Sequence, residues 1–283
     1  MQSNHFNQHC PDWATALFNG FSQIFLQRHP LCGLLCLLAI LYGAPGLLGG
    51  ALLGGLAGLL TAQRRGYPKA ERQAGLYSYN GVLLGLLISL NMTWSPILPL
   101  LIIAAGGLSA IMVRHWPRSL PAYTAPFVLL GWALLAFGTS QPAALEADLS
   151  GLSPAIIKGF GQVMFLDEPL AGALILVGLL LANRRAVLWA VLGSCMGLAF
   201  GLCNDPTQAL NGLGGYNATL AALALSPLQR RPWLVLGGMA LAILLTEVFI
   251  TLALPPLTAP FILACWLSRA AARMLRPPLY AQP

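Results

Sequence analysis

A chain of 283 residues that is 57% hydrophobic and only 8% charged, with a mean hydropathy of +0.73, is not a water-soluble globule, because such domains carry about 25% charged residues. Its net charge of +7 does not mark a nucleic-acid binder. The basic residues stand in short clusters between apolar runs (Arg64-Arg65, Arg184-Arg185, Arg230-Arg231, and Arg269, Arg273 and Arg276), where helix ends meet lipid headgroups.

Taken in order, the chain opens on eleven polar residues with no charged start or short apolar core, so they read as a tail rather than a cleaved signal. The segment 12–43 is too long for one crossing and is interrupted at His29-Pro30, where proline disfavours helix in the residue before it. Two helices meeting at a tight turn are expected. Cys32 and Cys36 lie one helical turn apart in the second, and none of the six cysteines has a paired metal spacing. They read as small buried residues, and no metal or cofactor is expected. A Gly-rich crossing follows over about 46–62, where small residues at three- and four-residue spacing let helices approach closely in lipid. After a polar loop at 63–73, the stretch 74–90 opens on Gly-Leu-Tyr-Ser-Tyr-Asn and has only about ten wholly apolar residues. That suits a re-entrant half-helix. Apolar runs over 96–113 and 121–137 come next, then a Ser-, Pro- and acid-containing linker at 139–154. Further runs cover 170–182, 187–203, 233–253 and 257–268, with a second half-helix at 212–225.

The chain is written twice. Gln23, Pro30 and Gly33 return 139 positions later as Gln162, Pro169 and Gly172. Gly75-Leu-Tyr-Ser-Tyr-Asn80 returns as Gly212-Leu-Gly-Gly-Tyr-Asn217, and Leu120-Pro-Ala-Tyr-Thr-Ala-Pro-Phe127 as Leu254-Pro-Pro-Leu-Thr-Ala-Pro-Phe261. The expected fold is an all-α membrane protein of two halves, 1–138 and 155–283, each with about five transmembrane helices and one half-helix. An odd number of crossings per half makes the repeat inverted, about an axis in the membrane plane. Basic residues divide almost evenly between the two sides; the Arg269–Arg276 tail favours both termini inside.

Several polar or aromatic residues stand out against this background. Asn80 and Asn217 are placed to cap or brace the half-helix ends, whose N-terminal dipoles would repel cations at the membrane centre. Tyr79 with Leu83, and Tyr216 with Leu220, are four apart and share a helix face; each pair makes a narrow apolar slot or ordinary packing. Gln23 and Gln162 are amides in apolar helices, which should face protein or a water-filled path. Thr124 and Thr258 each precede a proline by two residues, so a partly unwound polar strip is expected there. Glu247 alone among the acids sits well inside an apolar run, and reads as a structural partner rather than a coupling carboxylate. No nucleophile, metal or nucleotide motif appears, so an enzyme is not expected.

At these doubled motifs, from about Trp13 to Ser268, the chain resembles the urea transporter family. The resemblance implies a homotrimer in a lipid bilayer, on a bacterial member's reading the cytoplasmic (inner) membrane. In it each subunit passes urea down its gradient without a coupling ion. It places Leu26 with Tyr79 at one slot and Phe165 with Tyr216 at the other, with Thr124 and Thr258 at the midpoint. Leu26 stands where the family commonly has phenylalanine, which leaves two readings: a looser slot, or Phe25 as the substitute. The Arg28-His29 pair replaces small amides, opposed in the second half by Asp167-Glu168 in a pore-supporting position. An ion-coupled secondary transporter of a small polar amide or ammonia-type solute is the rival, and would need Glu247 or Asp167 and Glu168 near the path.

Overall fold

The computed structural model describes residues 12–137 and 151–275. Every regular element within them is helical. α1 (Asp12–Gln23) and α2 (Pro30–Gly43) meet at the predicted break. There the His29 ring caps α2 by accepting from the Cys32 N–H at 3.3 Å. α3 (Pro45–Arg64), the short α4 (Lys69–Gln73), α5 (Tyr79–Asn91), α6 (Ile97–His115) and α7 (Ala125–Phe137) complete the first half. The second runs α8 (Leu152–Gly161), α9 (Pro169–Asn204), α10 (Pro206–Leu210), α11 (Tyr216–Leu225), α12 (Pro232–Thr251) and α13 (Ala259–Met274). α8 begins inside the stretch read as linker; residues 139–150 of that linker, like His5, His9, Cys10 and Arg276, lie outside the described residues.

α9 has 36 residues but is two helices in substance. Asn183 has non-helical dihedrals (φ −159°, ψ 90°), and its side chain accepts from the Ala186 N–H at 3.2 Å to start the second limb. Its place 139 residues earlier is Ala44, where α2 gives way to α3 at φ −151° and ψ 68°. With that correspondence, the element order of one half repeats in the other.

Four helices (α3, α6, α9 and α12) are long and apolar enough to cross a bilayer. α5, at 13 residues, spans only about 20 Å, as expected of a half-helix, and α1 and α8 are shorter still.

Backbone-to-backbone contact at glycine holds each half together. A Cβ on Gly54 would lie 2.1 Å from the Gly81 carbonyl oxygen, and one on Gly58 the same distance from that of Tyr77. The equivalents Gly193 and Gly197 would meet Ala218 O at 2.7 Å and Gly214 O at 2.3 Å. Gly75 and Gly212 close the turns ahead of α5 and α11 at φ +79° and +82°. They sit so near the ends of α1 and α8 that no side chain fits. Cys32 and Cys36 are buried and unpaired, as expected. At one helix-end surface Lys69 pairs with Asp12, and that hydrogen bond holds the Asp12 carboxyl below its ordinary range.

Not all the basic residues are headgroup ligands. Arg269 turns inward, donating to Ala224 O at 3.1 Å with its guanidinium 5.9 Å from the Tyr123 ring centre. Arg273 donates to Ser119 O at 3.2 Å. Both use α7-proximal loops and helix ends that only the folded chain brings near.

Gly54→Ala is expected to lower the thermal unfolding midpoint in detergent, at a cost of roughly 1–3 kcal/mol of overpacking. Gly46→Ala, whose added carbon would meet nothing within 4 Å, should leave the midpoint unchanged or raise it by up to about 1 kcal/mol in stability.

Candidate functional site

The Thr-x-Pro-Phe strips begin α7 and α13. A helix N-terminus leaves its first N–H groups without internal partners, and in lipid these have to be met by protein. At α7 the Asn80 side-chain oxygen accepts from Phe127 N–H at 3.2 Å; at α13 Asn217 accepts from Phe261 N–H at 3.3 Å. The preceding carbonyls are met as well. Tyr79 donates its hydroxyl to Tyr123 O, and Tyr216 donates to Leu257 O at 2.8 Å. Tyr123 and Leu257 take left-handed φ of 43° and 44°, which aims each carbonyl back at the tyrosine. The repeated Tyr-Asn pair is thus a double clasp on a broken backbone, one side chain for the acceptor and one for the donor. Asn80 and Asn217 brace α7 and α13, not the helices that carry them.

These clasps set the two N-terminal ends against each other. Thr124 Oγ1 and Thr258 Oγ1 are 2.7 Å apart, in hydrogen-bond contact across 134 residues of chain, and both side chains are buried. The ends brought into hydrogen-bond contact are therefore those of α7 and α13, whereas the sequence points to the ends of α5 and α11. The difference arises because α5 and α11 spend their polar residues holding the other pair. A reciprocal bracket closes the arrangement: Trp132 Nε1 donates to Pro255 O at 2.8 Å and Trp266 Nε1 to Pro121 O at 2.9 Å. Each half grips the other through equivalent atoms.

The remaining candidates divide. Leu26 and Phe165 occupy matching left-handed positions, both at φ 61°, and both are half-buried. Phe165 lies edge-on to Phe127 of the other half, with ring centres 6.3 Å apart. Phe25 is fully buried in the core, so it is Leu26 that takes the place of Phe165. Leu83 and Leu220 are closed around by protein at 1% and 0% exposure. Gln162 donates to Asn211 O at 2.8 Å, whereas the buried Gln23 Oε1 has no partner. Asp167 and Glu168 are exposed. Glu247, read from sequence as having a structural-partner or interface role, makes no ion pair among the described residues.

Sequence reading missed Tyr123 and Arg269. The Tyr123 hydroxyl and Arg269 Nε are both buried without a partner. Tyr123 could have been found as one of the two positions, with Ala122, at which the motifs differ.

A bundle whose described elements are all helical, four of them long and apolar enough to cross a bilayer, with buried polar groups gathered at paired helix ends, defines a multi-pass membrane protein. Comparison with known proteins agrees. A model of the urea transporter family matches residues 14–273. The chain is 28% identical to urea transporter 1 of Ovis aries over 292 residues, covering 89% of this chain and 74% of that protein. It is 28% identical to urea transporter 1 of Rattus norvegicus over 280 residues, covering 88% and 68%. The chain belongs to the urea transporter family.

Asn217→Ala should cost roughly 1–2 kcal/mol and lower the unfolding midpoint. Tyr216→Phe, which keeps the ring, should cost about 1 kcal/mol. The two together should cost more than their sum, because either donor alone still meets the Leu257 carbonyl, to which Asn217 Nδ2 also donates at 3.2 Å, and only the double variant leaves it unmet.

Proposed function

We propose that this protein is a facilitative urea channel: urea passes down its concentration gradient through a pore within each subunit of a homotrimer, with no coupling ion. In this reading the two halves are an inverted repeat in the bacterial cytoplasmic membrane. The paired ends of α7 and α13 lie near its midplane, and the described residues divide between the halves at the 139–154 linker. The observation that carries the proposal is the buried Thr124–Thr258 contact, formed by two hydroxyls at the ends of two inward-pointing helices. Urea is planar, with four N–H hydrogens and one strong acceptor. A stripped polar group costs a few kcal/mol if nothing replaces its water contacts. As urea enters, the two hydroxyls exchange their mutual bond for bonds to the solute. The unpartnered Gln23 Oε1 offers a further acceptor, with Gln162 at the matching place in the other half.

Leu26 with Tyr79 and Leu83, and Phe165 with Tyr216 and Leu220, form the apolar slots that pass flat, thin molecules. Asn80 and Asn217 hold the strip, and Asp167 and Glu168 lie at one vestibule. The partial positive charge of the two helix N-termini disfavours cations at the centre. The threonine pair offers hydroxyls rather than charges, which keeps binding weak enough for rapid release. The ion-coupled alternative has less support, since Asp167 and Glu168 are exposed.

Stopped-flow light scattering on proteoliposomes tests this directly. Urea permeability should exceed that of empty liposomes without any imposed proton or sodium gradient. Thr124→Val and Thr258→Val should each slow it by about fivefold, the equivalent of one hydrogen bond of roughly 1 kcal/mol. Permeability equal to that of empty liposomes, or full flux in both valine variants, would remove the reading.

A further inference from the structure

The two halves part company where one is filled and the other hollow. In the first half, the space between α3, α6 and the turn before α5 is filled from within. Tyr67 and Tyr77 pack there with ring centres 5.0 Å apart, and the Tyr77 hydroxyl donates to Glu71. The Arg114 guanidinium lies 5.7 Å from the Tyr67 ring centre and 3.9 Å from Glu71. In the second half the corresponding space is a cavity of about 160 Å³ between the C-terminal limb of α9, α10, α12 and the turn before α11. Tyr77 is replaced by Gly214 and Tyr67 by Asn204, each 137 positions on, and Glu71 by Gln208. The stacked pair Trp132–Phe249 is the counterpart of Trp116–Trp266. This sets Glu247, two residues before Phe249, in the place of Arg114. Both rings are gone and the cation has become an anion.

Glu247 lines this cavity with Gln208 and Asn204, while Phe200, Ile243 and Ile250 supply apolar walls. Asp205, at the mouth, is already engaged, accepting from Gln208 N and Nε2 at 3.0 and 2.8 Å. Among the described residues Glu247 makes no ion pair, and unlike Asp167, Glu168 and Asp205 it stands well inside a helix apolar enough to cross the membrane. A carboxylate in such a helix is normally paired or functional. An apolar cavity of about 150 Å³ accepts a benzene ring.

We propose that this cavity is a binding site for a small planar organic cation of the aryl-amidinium or aryl-guanidinium class. Such a ligand supplies from outside what Tyr67, Tyr77 and Arg114 supply in the first half. The flat ring fills the space left at Gly214 and Asn204, and the forked cation donates two parallel hydrogen bonds to the Glu247 carboxylate. Thr246 also lines the cavity, and its hydroxyl accepts from Asn217 Nδ2 at 3.3 Å, which joins the site to the brace of α13.

Titration calorimetry of the detergent-solubilised full chain with benzamidinium tests the assignment, with neutral benzamide as the isosteric control. Saturable benzamidinium binding is expected. It should weaken by about tenfold or more in Glu247→Gln, the loss of a charge-assisted bond, and benzamide should not compete. Asn204→Tyr, which returns a ring to the cavity, should abolish binding while keeping the wild-type unfolding midpoint. Absence of saturable binding to the wild type, or binding of equal strength in both variants, overturns the proposal. Because the readout is binding alone, it is independent of whether urea permeates.

Discussion

Lipid does not hydrogen-bond, so each backbone group exposed by a helix break at depth has to find a partner inside the protein. Two such breaks, ahead of Thr124 and Thr258, organise this molecule. The Tyr-Asn pairs on α5 and α11 exist to satisfy them, the hydroxyl taking up a donor's role and the amide an acceptor's. Once the breaks are clasped, the threonine hydroxyls are the polar groups left facing each other. Close glycine contacts bring α5 and α11 near enough to reach. The site is thus a by-product of solving a solvation problem twice in one chain.

Much of this was legible in the letters. Tyr-Asn and Thr-x-Pro-Phe recur in a background of Ala, Leu and Gly where polar residues are scarce, so their repetition carries information that apolar matches do not. The break at His29-Pro30 and the short helix after Gly75 followed from proline sterics and from length. What the clasps hold was not legible, because the bond from Phe127 to Asn80 joins residues 47 apart and depends on packing. Thr124 and Thr258 were placed at a midpoint, but their mutual contact spans the duplication. The inward turn of Arg269 was hidden by a general habit of basic residues at helix ends.

The counterpart of Glu247 was hidden for another reason. Its match in the first half is a residue of opposite charge, in a segment where the repeat offset has slipped to 133, so no letter agrees. Only the paired rings Trp116–Trp266 and Phe249–Trp132 recover the correspondence. Duplication supplies the molecule with an internal control: where one copy is filled and the other hollow, the filled copy describes what the hollow one lacks.

The crossed tryptophan bonds, Trp132 to Pro255 and Trp266 to Pro121, bear on how such a chain can change over generations. Neither copy is free to drift alone, since the indole of each reads the loop of the other. A substitution that displaces one proline carbonyl is best compensated not nearby in sequence but in the opposite copy. Suppressors of a lesion in one half should therefore accumulate in the loop or indole about a third of a kilobase or more away in the coding sequence, a pattern that a single-copy bundle would have no reason to produce.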